Sequence, residues 1–304
     1  MKKVSVVIPA YNKAELTVQT VESVLSQTYK NIEIIVVDDG STDSTRDRLF
    51  GYTERIRYIY KKNGGACSAR NVGISFATGE YVGFLDCDDL YLPEKIELSI
   101  RYLEQNPDVG FVYSAAYFID AQGTIVSTYS HPGGRKNGWI YNDLVVQNFI
   151  CNSTVMVRKI CLDTMRGFDE SVFSPADWDM WLRLSEQYTA GYIDVPLTKY
   201  RVDGSYIVRN LQKVESEEMQ ILQQAFRRST ALPLKVKQEA LAKLYLRFAL
   251  NYLFTGDVNN ARRVIWAAVY SKPLDLKVLV VFILFYCARS PLRSLIKRRV
   301  YLRA

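Results

Sequence analysis

Three carboxylates fall within four residues at Asp86-Cys87-Asp88-Asp89, directly after the apolar run Tyr81-Val82-Gly83-Phe84-Leu85. Acids released where a strand leaves a core suit a hard divalent cation, Mg²⁺ or Mn²⁺, that keeps open positions for substrate phosphates. A lone acidic cluster is more often a solvated turn or a helix N-cap. This one is accompanied. Ile34-Ile35-Val36-Val37 runs into Asp38-Asp39-Gly40-Ser41-Thr42-Asp43, and Val4-Ser5-Val6-Val7-Ile8 runs into Pro9-Ala10-Tyr11-Asn12. Three apolar runs thus release polar residues at their C-terminal ends, the side on which open α/β sheets bind ligands.

The elements that must position these residues alternate from residue 1 to about 120. Strands are expected at 4–8, 32–37, 56–60, 81–85 and 109–118. Between them, Leu16, Val21, Val24 and Leu25 form a helical stripe, with Asn12 and Glu15 spaced as a capping box. Ala66 to Thr78 reads as a helix stopped by Gly79, and Pro93 suits the first turn of a helix closed by Asn106-Pro107. Repeated units of this length mean a mostly parallel sheet with helices on both faces. The middle third is less regular. Tyr129 to Gly138 is expected to be a mobile loop bordering a site, Asn152 to Val157 a strand, and Asp177 to Leu184 a helix with acids in its first turn. From Val214 onward the pattern is helical, with an αα-hairpin of Gln238–Phe254 and Val258–Tyr270 around Gly256-Asp257.

Composition narrows the function classes. The chain has 304 residues, 48% of them hydrophobic, and a single histidine, His131, which leaves little room for a His-based metal site or a Ser/His/Asp hydrolase. The five cysteines include no CxxC pair and read as reduced thiols of a cytoplasmic protein. The start, Met1-Lys2-Lys3 and a short apolar run broken at Pro9, reads as a first strand and not as a signal peptide. The formal charge of +7 is unevenly spread: residues 232–304 hold 14 Lys or Arg against 3 Asp or Glu, and the rest 25 against 29. The apolar run Val278 to Tyr286 is well below the ~20 residues of a spanning helix. It is followed by six basic residues and no acid, as in a peripheral helix on an anionic membrane; a core helix with a solvated basic end is the alternative.

Taken in order, Val4–Asn12, Val36–Asp43, Ala69-Arg70-Asn71-Val72-Gly73, Asp86–Asp89, Gly167-Phe168-Asp169-Glu170 and Asp177-Trp178-Asp179 resemble family-2 glycosyltransferases of the nucleotide-diphospho-sugar transferase (GT-A) fold. The likeness covers about residues 3 to 205. It implies a Rossmann-like α/β catalytic domain at 1–210, followed by a basic helical extension at 211–304. It also implies that Pro9, Ala10 and Tyr11 bind the donor, with Tyr11 against the base, and that Asp39 accepts from a base N–H, which suits uracil. Arg70 would neutralise the donor or fix the adjoining loop. Asp88 and Asp89 would hold the ribose and a Mn²⁺ or Mg²⁺ ion, with Asp86 supporting the site or touching the sugar. Asp177 takes the position of the catalytic base, which deprotonates an acceptor hydroxyl as it attacks the anomeric carbon with inversion. The chain departs from the family at Arg166, Ala176 and Asp203, the last where many relatives have histidine. A Gln-x-x-Arg-Trp motif is absent, which favours single-sugar transfer.

The expectation is therefore a hexosyl- or hexosaminyltransferase that moves one sugar from a nucleotide-sugar donor, a UDP-sugar by preference, to a glycan acceptor. A lipid-linked intermediate of cell-surface polysaccharide synthesis at the inner face of the membrane is the acceptor expected, with no nucleic-acid partner. A signalling receiver would place its acidic pair after the first strand, whereas here it follows the second. The remaining rival is a catalytically silent relative that binds a nucleotide or scaffolds a glycan assembly.

Overall fold

The computed structural model describes residues 1–129, 137–172, 175–202 and 210–287, and it divides the chain into two compact units. The first spans residues 1–141 and 149–202, and the second takes in 142–148 together with the helices from residue 210. Most of the expected loop at 129–138, along with Asp203 and the basic residues from Arg289 onward, lies outside the described residues.

The first unit opens with β1 (Val4–Ala10), α1 (Ala14–Leu25), β2 (Ile32–Asp38), α2 (Thr45–Leu49), β3 (Arg57–Tyr60), α3 (Ala66–Phe76) and β4 (Tyr81–Phe84). These strands form a parallel ladder in the order β3-β2-β1-β4. β1 and β4 are buried along their whole length, which is why their sequences are continuously apolar and do not alternate. Helix α3 lies so close to β1 that a Cβ on Gly73 would meet Val7 Cγ1 at 2.3 Å.

The chain continues with β5 (Leu90–Tyr91), α4 (Lys95–Gln105), β6 (Val109–Ile119), β7 (Ile125–Tyr129), α5 (Tyr141–Val146), β8 (Met156–Arg158), α6 (Lys159–Thr164), α7 (Ala176–Gln187) and β9 (Thr189–Arg201), all in the first unit except α5, which from Asn142 on belongs to the second. The full sheet runs β3-β2-β1-β4-β8-β6-β9-β5, with β7 beside β6. Strand β8 is antiparallel to both β4 and β6, so the parallel half gives way there to a mixed half.

One local expectation fails for an identifiable reason. Asn12 does not cap α1, whose cap is Lys13 without a side-chain bond. Asn12 instead adopts φ 50° and accepts from the backbone N–H groups of Thr42 and Asp43, tying the end of β1 to the loop after β2. The long strand β9 carries Gly191 and Pro196, residues that normally argue against a strand. Here Pro196 sits where the β6–β9 register shifts, so no ladder bond is asked of it.

The second unit contains α8 (Leu211–Arg228), α9 (Leu234–Thr255), α10 (Val258–Ser271) and α11 (Leu276–Cys287). The expected hairpin is present: Gly256 ends α9 in the left-handed conformation at φ 83°, and the Asp257 carboxylate caps α10 by accepting from Asn260 N–H at 3.0 Å. Glu215 of α8 takes two bonds from the Arg263 guanidinium, 2.8 and 2.7 Å, and one from the Tyr252 hydroxyl, joining three helices. Among the described residues no helix is long and apolar enough to cross a membrane.

Candidate active site

The acidic loop after β4 is gripped from two sides. The turn Asn152–Thr154, which the sequence suggested as strand, places Ser153 between two members of the cluster. Its hydroxyl accepts from Asp86 N–H at 3.0 Å and donates to Asp89 Oδ2 at 2.5 Å. From the other side, the end of β9 donates Arg201 N–H to Asp89 Oδ1 at 2.7 Å, and the Arg201 Nε donates to the Asp88 carbonyl at 3.0 Å. Lys95, fully buried in α4, holds the turn itself by donating to the Thr154 carbonyl at 2.5 Å.

The three carboxylates consequently differ. Asp89 is 1% exposed. Burial first, and then the charges of Asp86 and Asp88, push its carboxyl well above the ordinary range. Asp86 accepts from Arg70 Nη2 at 2.7 Å and from Asn152 Nδ2 at 2.9 Å. Asp88, with 19% of its side chain exposed, pairs with the Lys13 ammonium at 2.5 Å. Burial works against the charge of Lys13, yet Asp88 outweighs it and leaves the lysine pKa raised.

Asp177 opens helix α7, which is held by the buried Trp178, Met180, Trp181 and Leu182. Trp181 packs against Phe84 of β4 and Phe168, with ring centroids 6.0 and 6.2 Å apart. That packing fixes the start of the helix beside the acidic loop. Burial raises the Asp177 carboxyl to about 6, Arg70 opposes the rise, and Asp86 adds to it. A carboxyl poised there is ionised at neutral pH and still basic enough to take a proton. Two buried polar atoms at this place, Arg70 Nε and Asn152 Oδ1, have no partner among the described residues. Buried polar groups are rarely left so, and a ligand offering an acceptor and a hydroxyl would satisfy both.

The ends of β1 and β2 form the flank. Pro9 and Ala10 are buried within β1, and the Ala10 carbonyl accepts from Asp39 N–H at 2.8 Å. Tyr11 is 48% exposed, leaving a ring face open to stack. The Asp39 carboxylate is engaged by Lys61 Nζ at 2.6 Å, Gly64 N–H at 2.9 Å and Gly65 N–H at 2.7 Å. Lys13, two residues after Tyr11, reaches across to Asp88, so the segment after β1 borders both acidic groups.

Among the described residues no group of three or more acids, cysteines or histidines forms a metal cage. A Mg²⁺-like ion needs no such cage when waters and substrate phosphates complete its shell. The donor set fits on that basis. Asp88 is accessible and already holds a cation, the Lys13 ammonium, whereas Asp89 would reach an ion only by giving up Ser153 or Arg201. Lys13, Asn152, Ser153 and Arg201 were not anticipated from the sequence. In the sequence Arg201 is set apart only by standing two places before Asp203, and Asn152-Ser153 has no pattern that distinguishes it from an ordinary strand start.

The family model described as glycosyl transferase family 2 matches residues 5–164, more than half the chain and nearly all of the β1 to α6 span that carries the acidic loop. The chain belongs to glycosyl transferase family 2. An uncharacterized glycosyltransferase of Rickettsia felis is 36% identical to this family member over 206 residues, covering 66% of the chain and 33% of the relative. Chondroitin synthase of Escherichia coli is 35% identical over 188 residues, 60% of the chain and 26% of the synthase. The chain thus spans about a third or less of the length of these relatives. Among solved structures, the mannosyltransferase PcManGT of Pyrobaculum calidifontis, in complex with GDP-Man and Mn²⁺, superposes with a TM-score of 0.64 at 19% identity, covering 99% of the chain and 84% of its own. TarS 1-349 of S. aureus in complex with UDP gives 0.56 at 19% identity, with 89% and 92% covered. The fold is that of the GT-A glycosyltransferases.

Proposed function

We propose that this family-2 member is an inverting glycosyltransferase that moves a single sugar from a nucleotide-sugar donor to a hydroxyl of a glycan acceptor. The observation that carries the reading is the placement of Asp177, a half-buried carboxylate raised to about 6 by its loss of water, beside the Arg70–Asp86 pair at the end of β4. In this reading Asp177 accepts the acceptor hydroxyl's proton as that oxygen attacks the anomeric carbon, and the bond to the nucleoside diphosphate breaks on the opposite face. Tyr11 stacks on the base, and Asp39 shapes the base pocket by holding the 61–65 loop, its Oδ1 taken by Lys61 and Gly64 N–H and its Oδ2 by Gly65 N–H. Asp86, fixed by Arg70 and Asn152, faces the transferred sugar. Asp88 would hold a Mn²⁺ or Mg²⁺ ion and the ribose, with Asp89 keeping the loop in shape. Such an ion supplies Lewis-acid stabilisation of the departing diphosphate.

A UDP-sugar is the preferred donor, in keeping with the UDP complex of TarS; the GDP-Man complex of PcManGT makes GDP-sugars the comparison to run. The acceptor proposed is a lipid-linked glycan of cell-surface polysaccharide synthesis, met at the cytoplasmic face of the membrane. The test is hydrolysis or transfer from UDP- and GDP-sugars by wild type and by Asp177→Asn. Turnover by wild type that the substitution removes, with nucleotide binding retained, supports a working transferase. Binding without turnover in either protein would instead favour a silent nucleotide-binding relative.

A further inference from the structure

Helix α11 reads Leu276-Lys277-Val278-Leu279-Val280-Val281-Phe282-Ile283-Leu284-Phe285-Tyr286-Cys287, with one charge in twelve residues. A helix apolar on all sides is normally buried on all sides. This one is buried on one. Val278 is enclosed with Ala242 and Ala268, and Phe282 meets Trp266 edge-on at 5.0 Å. The opposite stripe, Leu276, Val280, Ile283 and Leu284, follows helical spacing and faces solvent, Leu276 at 74% and Ile283 at 54% exposure. Trp266, Tyr270, Leu274 and Tyr286 extend the exposed apolar surface, and the Trp266 indole donates to the Tyr286 hydroxyl at 2.8 Å. A contiguous patch of this kind marks an interaction surface.

The sequence that follows identifies what covers it. Residues 288–304 contain Arg289, Arg293, Lys297, Arg298, Arg299 and Arg303 and no acid. Two copies meeting through this end would bring like charges together, whereas anionic headgroups would be attracted to it. Twelve residues rise only about 18 Å, short of the roughly 30 Å hydrocarbon core, so the helix suits the plane of an interface and not a span. We propose that this face is a docking surface for an anionic lipid bilayer. Leu276, Val280, Ile283 and Leu284 enter the boundary between headgroups and acyl chains, the tryptophan and tyrosines sit at headgroup level, and the basic sequence engages lipid phosphates. The inference stands independently of the transferase reading, since none of these residues belongs to the acidic site.

The test is sedimentation of the full chain with phosphatidylglycerol-containing vesicles and with pure phosphatidylcholine vesicles, at low and high salt. Wild type is expected to sediment with the anionic vesicles and to be released by salt. Ile283→Glu with Leu284→Glu should weaken that binding about tenfold or more, and Arg298→Glu with Arg299→Glu should weaken it and blunt its salt dependence. Helical circular dichroism serves as the check that each variant is folded. Equal binding by wild type and the Ile283→Glu, Leu284→Glu variant, indifference to lipid charge, or no vesicle binding at all would overturn the proposal. Self-association of wild type that the same variant abolishes, without vesicle binding, would assign the face to a second copy instead. Loss of nucleotide binding with vesicle binding intact would count against the transferase reading alone.

Discussion

The acids that end β2 and those that end β4 look alike in sequence and have different fates in the fold. Asp38 and Asp39 are consumed by the protein: Asp38 accepts from Ser41 N–H and the Tyr58 hydroxyl, and Asp39 from Lys61, Gly64 and Gly65. At the end of β4 the satisfaction is uneven. Asp89 is buried at a cost visible in its raised pKa, Asp88 is open and held by one lysine, and Asp86 shares its partners with two atoms that lack their own. Acids that the fold satisfies completely shape a pocket, and acids that it leaves under-satisfied are where a substrate, an ion or a proton has work to do.

Substitutions should separate the two groups. The largest effect is expected for Asp177→Asn, which removes the proposed proton acceptor but not the proposed binding groups: steady-state turnover should fall about 10²- to 10⁴-fold while nucleotide affinity is unchanged. Asp88→Ala should follow, lowering turnover about 100-fold and abolishing its response to added Mn²⁺. Turnover should also depend on pH through Asp177. The base must be deprotonated, so kcat/KM should rise with pH through about 6 and fall about tenfold per unit below it, and a profile flat from pH 5 to 7 would remove Asp177 from the role. By contrast Asp38→Ala should act on the fold, lowering denaturant stability by about 1–3 kcal/mol because Ser41 N–H and the Tyr58 hydroxyl lose their buried acceptor.

The last effect, smallest per pH unit, concerns the support of the acidic loop. Burial depresses the Lys95 ammonium to about 7 from an unfolded value of 10.5. Between those values the unfolded chain binds the extra proton, so stability should rise as pH increases above 7, by at most about 1.4 kcal/mol per unit. Urea titrations of wild type and Lys95→Met at pH 7 and 9 would show the slope in the first protein and its reduction in the second.

Much of this contrast was legible in the sequence and some was not. Runs such as Val4–Ile8 and Ile34–Val37 announce buried parallel strands because both their faces are covered, and the acids that follow them mark the ligand side of the sheet. The sequence could not say which acids the fold would satisfy. The groups that decide it are distant in the chain: Ser153 and Arg201 reach Asp89 across 64 and 112 residues, and Asn12 serves the 41–43 loop where local spacing offered it to a helix. The turn at Asn152–Thr154 and the proline-bearing β9 carry no pattern of their own: the turn leads into β8, which pairs with β4 and β6, and β9 is held by β6 and β5. In the helical unit the αα-hairpin was readable from its glycine and aspartate, whereas the one-sided burial of α11 required the packing of Val278 and Phe282.

The central claim is that the β4 acids form a donor site at which an ion and a nucleotide meet, while the β2 acids are structural supports of its pocket. Calorimetric titration of UDP and GDP with and without Mn²⁺, on wild type, Asp88→Ala and Asp38→Asn, tests it most directly. The account predicts that one nucleotide binds wild type in a metal-dependent way, that Asp38→Asn keeps that dependence, and that Asp88→Ala loses it. No nucleotide binding by wild type under any condition, or metal dependence that survives in Asp88→Ala and disappears in Asp38→Asn, would contradict it.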